Sequence, residues 1–130
     1  MTVGYSFFEK LKLVFVNIAD TVTFEQLVMY LKSLSQDQNY RPPMKKLVDF
    51  RKCRKLDLTR EQAEKFAALN RELSSSFTNE RCAIVAPGDL EYGMSRAHEM
   101  YLSGSGMDIR VFRQLPEALD WLAIEHSEFE

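Results

Sequence analysis

Cysteine is scarce in this chain: Cys53 and Cys82 stand far apart and in no paired motif. A disulfide framework is therefore not expected, and both thiols are read as free in a reducing cytosol. Histidine is equally sparse. Neither His98 nor His126 has cysteine or carboxylate at metal-ligand spacing, so no metal and no cofactor is expected. No apolar run approaches the ~20 residues that a membrane span needs. The N-terminus lacks a basic region followed by a continuous apolar core, so no signal peptide is read and the cytoplasm is the default location. The run Ser103-Gly104-Ser105-Gly106 lacks the lysine and the strand–helix setting of a phosphate-binding loop. Internal repeats and low-complexity segments are missing too. A formal net charge of −2 excludes a surface built as a whole to hold nucleic acid.

What is present is an ordinary globular balance, 45% hydrophobic and 28% charged, over a length of 130 residues that fits one domain, 1–130. Val3, Tyr5 and Phe7 alternate with small residues, which predicts a strand with one apolar face. Leu11 to Ile18 is almost wholly apolar and predicts a second, more central strand, antiparallel to the first. Thr23 and Gln26 form a capping box, and Phe24, Leu27, Val28, Leu31 and Leu34 follow at helical spacing as far as Ser35. Lys46 to Arg51 predicts the third strand, with Lys52, Arg54 and Lys55 as a basic loop after it. Thr59 and Gln62 repeat the capping box, on a helix whose apolar face is interrupted by Asn70.

Cys82 to Ala86 lacks polar alternation and suits a central strand covered on both faces. Pro87-Gly88 ends it. Asp89 is read as the N-cap of a third helix whose inner stripe is Leu90, Met94, Ala97 and Tyr101. Ile109 to Phe112 is the fifth strand. Pro116 opens a last helix with Leu115, Ala118, Leu119 and Leu122 inward, and the acidic tail from Glu125 is expected to fray. The order is β-β-α-β-α-β-α-β-α. It implies an α/β fold with a mixed, mostly parallel five-stranded sheet, about four helices and an antiparallel first strand.

Three blocks carry a family resemblance: Leu47-Val48-Asp49-Phe50-Arg51; Ala83 to Leu90 with Tyr92-Gly93-Met94; and Val111-Phe112-Arg113 with Glu117 to Leu122. In order and spacing they resemble the small bacterial STAS-like domains of the CRAL-TRIO-related group, which share the fold of the sporulation anti-sigma-factor antagonist. The resemblance implies the same mostly parallel sheet and no catalytic residue. Phosphorylatable antagonists of that fold carry a serine or threonine in the turn after the third strand. This chain reads Asp49 to Lys55 there, without serine, so no phosphoryl switch is expected.

The candidate binding residues are Asp49, Arg51, Asp89, Tyr92, Arg96 and Arg113. They fall at the carboxyl ends of predicted strands or in the first helix turns after them, where open α/β sheets bind ligands and partners. Tyr92 and Arg96, four apart, are expected to share an outer face of the third helix. The structural alternative is that Asp89 only caps and Asp49 is tied by Arg51. No nucleophile–base pair is legible, so no enzyme activity is expected. The reading is a non-catalytic binding or regulatory module that acts through a protein partner or a second copy of itself. The alternative is a carrier or sensor of a small apolar or lipid ligand, lined by the aromatic residues, Trp121 among them, and the methionines.

Overall fold

The computed structural model describes residues 2–77 and 79–129. Strand β1 (Val3–Phe8) runs antiparallel to β2 (Leu13–Thr23), with Val3 opposite Ile18 and Phe8 opposite Leu13. A short 3-10 turn joins them and ends on Lys12 at φ 50°. Helix α1 (Phe24–Ser35), strand β3 (Lys45–Asp57), helix α2 (Arg60–Glu72), strand β4 (Arg81–Val85), helix α3 (Asp89–Tyr101), strand β5 (Asp108–Phe112) and helix α4 (Leu115–Trp121) follow. A one-turn helix α5 (His126–Phe129) ends the chain. The sheet order is β1-β2-β3-β4-β5, all parallel after the first pair. This is the mixed five-stranded α/β sheet expected from the sequence, with one more helix.

Both capping boxes form. Thr23 Oγ1 accepts from the Gln26 N–H at 3.3 Å, and the Thr23 N–H donates to Gln26 Oε1 at 2.9 Å. Thr59 and Gln62 do the same at 3.1 and 3.0 Å. Asp89 does not cap α3. Gly88 holds the N-cap position, Asp89 is the first helical residue, and its carboxylate is held by Arg113 instead.

Alternation along the strands divides the core in two. One face carries Val16, Ile18, Val48, Ile84, Ile109 and Val111 under α1, α2 and α3. The other carries Leu13, Leu47, Ala83 and Val85 against Ala118, Leu119 and Leu122 of the α4 region. The tail is not frayed. Phe129 on α5 stacks on Phe8 at 5.4 Å and meets Phe15 edge-on at 5.4 Å, because α4 alone leaves this end of the second face uncovered.

The basic segment Lys52 to Lys55 is not a loop. Parallel pairing of β2 with β3 continues through two register shifts to Thr23 opposite Asp57, and Asp20 in the disturbed stretch takes φ 56°. Charged side chains alternate with Cys53, which packs against the core, and the apolar row resumes at Leu56. Composition suggested a loop; strand pairing overrode it. Cys53 is thus half-buried in a strand rather than in a polar loop, and both cysteines are free.

Glu80, just before β4, is buried, and its Oε2 accepts from the Met44 N–H at 3.3 Å. Burial pushes its carboxyl up to about 8, against the smaller downward pull of that hydrogen bond. The folded chain therefore holds a proton that the unfolded chain releases near its ordinary value of 4.5. The protonated form's contribution is complete below that value and is lost as pH rises through the folded value. Glu80→Gln should melt progressively higher than the parent as pH rises from about 4.5 to about 8. A pH-independent difference between the two melting curves would contradict this. For the tail, Phe129→Ala should cost ~1–2 kcal/mol in urea unfolding, a fraction of the cost of a fully buried phenylalanine; a change within error would mean that α5 only rests on the surface.

Candidate functional site

The structure divides the six expected binding residues into separate, internally satisfied sets. Asp49 is buried on the α4 face of the sheet and takes the Arg51 guanidinium with both oxygens, at 3.0 to 3.1 Å, plus the Arg51 N–H at 2.9 Å. The tie raises the pKa of the Arg51 guanidinium, the hydrogen bond to Asp49 being its main cause. Arg113 donates to the Pro87 carbonyl and to Asp89 Oδ1, at 2.9 and 2.8 Å, and lies 4.0 Å over the Tyr92 ring. Tyr92 is half-buried and packs on the core, so it does not share an outer face with Arg96. Arg96 is exposed and turns to Glu99 at 3.9 Å. No hydrogen bond or ion pair among the described residues joins these sets.

A mostly apolar concave feature lies elsewhere, between the sheet and the α2–α3 pair. It is a cavity of about 510 Å³ whose lining is mostly apolar, within the size range of small-molecule sites. Its floor is Ile18, Val48, Ile84 and Ile109, one residue from each of the inner strands and β5. Its roof comes from Phe66 on α2 and Met94 on α3. Phe50, Leu56 and Leu58 close one side, because β3 runs on to Asp57 after its pairing with β4 has stopped at Asp49. Two register shifts with β2 fall in this stretch, and irregularities of that kind strengthen local twist.

The α3 stripe expected to be core forms part of the opening. Leu90 is 58% exposed and Tyr101 48% exposed, yet both line the cavity. Gly93 lies beside them, and a Cβ there would meet open space. The Tyr101 hydroxyl donates to Glu64 at 2.6 Å, which ties α3 to α2 at the rim. Trp121 is not part of the lining. It sits on the opposite face against Phe112, with Arg81 and Arg110 over its ring at 5.1 and 5.4 Å.

A few polar groups interrupt the apolar lining. Lys46 is 2% exposed, and its ammonium stands 3.9 Å over the Phe77 ring. Burial lowers it to about 8. Asn70 Nδ2 and His98 Nε2 are 3.0 Å apart, and the His98 ring stacks on Phe66 at 5.5 Å. Burial, with the nearby Lys46 charge, lowers His98 to about 4, so its imidazole is neutral at physiological pH and accepts the Asn70 N–H at Nε2. Burial raises Cys82, opposite Lys46 in the β3–β4 register, to about 11, which keeps it a thiol. Sequence reasoning missed this group. Its signal was a lysine at the head of an otherwise apolar strand and an asparagine breaking an apolar helix face.

At about 11 the Cys82 group stays a thiol. A protonated thiol is a poor nucleophile. Among the described residues no group of three or more His, Cys, Asp or Glu is placed to hold a metal ion, and no helix is long and apolar enough to cross a membrane.

No family model and no curated protein matches the chain. Among solved structures it is similar to an uncharacterised protein of the DUF3478 family with a SpoIIAA-like fold, from Shewanella loihica PV-4, at 20% identity and TM-score 0.58, over 92% of this chain and 91% of that one. The chain therefore has the SpoIIAA-like, STAS-like fold that the sequence blocks resemble.

Proposed function

We propose that this chain is a non-catalytic binding module whose cavity holds a small ligand with a substantial apolar body. The observation that carries the reading is the cavity itself: about 510 Å³ of mostly apolar space, partly open at Leu90, Gly93 and Tyr101. A partly enclosed, mostly apolar space of this size suits a small ligand that buries its apolar body there. A relation to the CRAL-TRIO group belongs to the same proposal, and by fold analogy it favours an apolar ligand over a polar one.

A second reading, the protein-partner module, is favoured by one specific feature. Arg113 and Asp89 form an exposed ion pair across the Pro87-Gly88 turn, at the carboxyl edge of the parallel strands, with Tyr92 beneath it. Arginine and tyrosine are enriched in interface hot spots. Its test is Arg113→Ala: weakened self-association or partner capture supports it, and unchanged association with intact folding removes it.

The cavity reading is tested at Gly93. Gly93→Leu puts a side chain into the opening and also replaces a helix-interior glycine, which should stabilise the fold by about 0.5–1 kcal/mol. We expect 1-anilinonaphthalene-8-sulfonate to bind the parent with one-to-one stoichiometry and the variant at least tenfold more weakly, while the melting temperature holds or rises. Equal binding by both proteins would place the dye outside the cavity and overturn the proposal.

A further inference from the structure

The mostly apolar cavity has charged groups of two kinds in its lining: the exposed Arg60 and Glu64, and a buried polar pole around Lys46. Lys46 starts the buried part of β3, in register with Cys82 on β4, which is in turn in register with Ile109 on β5. Phe50, on the same face of β3, lies four residues on, roughly 13 Å away at the rise of a parallel strand. The cavity thus extends along the strands from a cationic end at Lys46 to an apolar end under the overhang of β3.

At the cationic end the hydrogen-bonding capacity is not used up. Among the described residues, the Lys46 ammonium has no hydrogen-bond acceptor and no ion-pair partner; its contact is the Phe77 ring. Asn70 is buried, with one side of its amide bound to His98 and its Oδ1 without a partner. Asn70 Nδ2 gives one N–H to His98 and keeps a second for a ligand acceptor, while Oδ1 is free to take a donor. Ser95 adds a hydroxyl to the same lining. Glu80 is a buried carboxyl of this region; its Oε2 accepts from the Met44 N–H, its Oε1 has no partner, and it does not line the cavity. An unpaired buried cation is costly, and an apolar residue of similar volume in its place would not be.

Resting on the cavity reading, we propose that Lys46 and Asn70 bind the carboxylate head of an amphipathic ligand whose hydrocarbon body lies along the strands toward Phe50 and Leu56. The class is a monocarboxylate with an unbranched apolar chain, held head inward. An ammonium and an amide N–H supply charge-assisted hydrogen bonds to a carboxylate, and the mostly apolar lining suits the chain. Neutral His98, bonded to Asn70, fixes the amide's position; it is a positioning residue, not a contact to the head.

The test uses decanoate and decan-1-ol, which share the chain and differ in the head, with calorimetric titration of this whole chain. The parent should bind decanoate at least tenfold more tightly than decanol. Lys46→Met should remove that preference, keep decanol binding, and melt at the same or a higher temperature. His98→Phe should reduce the preference without removing it. If the parent binds both probes equally, or if Lys46→Met keeps the preference, the head-group assignment is wrong and the cavity reading stands. If the parent binds neither probe, the cavity reading itself fails, and the assignment with it. The comparison of the two probes on the parent needs no variant, so a poorly folded Lys46→Met does not remove the test.

Discussion

The continued pairing of β2 with β3 is the constraint on which the rest depends. β4 and β5 pair with their neighbours over five or fewer residues, and β3 leaves β4 at Asp49. β2 and β3 go on together to Thr23 and Asp57, through two register shifts. The backbone groups of this ribbon satisfy one another, so it persists where the other strands have ended. Its extension places Phe50, Leu56 and Leu58 along one side of a space that α2 and α3 roof but do not fill. With β3 ending at Arg51, as composition alone suggests, this side of the cavity would be missing.

The two faces of the sheet have contrasting packing. Against α4, short side chains and leucines interlock, and the aromatic residues Phe8, Phe15 and Phe129 close the end. Against α2 and α3, the sheet presents β-branched residues, while the helices offer a glycine, a serine and a half-buried histidine. Helix α3 is held at its C-terminal end by polar contacts, Tyr101 to Glu64 and Arg71 to the Tyr101 and Ser103 carbonyls at 3.0 and 3.2 Å. Such contacts keep a helix in place without requiring its inner face to be fully packed, and so leave room beneath it.

Charged groups that meet each other and charged groups that do not are also separated in space. At the carboxyl edge, Asp49 has Arg51 and Asp89 has Arg113. The exposed Arg113–Asp89 pair is worth little to stability, because water and salt screen it. In the cavity, Lys46 has a ring face and no counterion among the described residues. The first arrangement can be anticipated from spacing, since Asp49 and Arg51 are two apart on one strand face. The second cannot, because it depends on which side of β3 faces the space and on the neighbours that α2 and α3 bring there.

Much of the fold was legible locally. The capping boxes at Thr23 and Thr59 are completed within four consecutive residues, so their helices start where the residue types require. The apolar runs from Leu11 and from Cys82, and the alternation at Val3, Tyr5 and Phe7, marked strands, since periodicity of two is a property of the chain itself, although the second strand starts at Leu13 and Leu11 belongs to the turn before it. What sequence could not settle involves partners distant along the chain. The charged segment Lys52 to Lys55 is a strand because β2 pairs with it. Leu90 and Tyr101 carry helical periodicity yet line an opening, because periodicity fixes a shared face and not what lies opposite it. The cavity and its lone buried ammonium exist only through the mismatch between long and short strands. That mismatch is decided by tertiary pairing, and no window of sequence contains both of its sides.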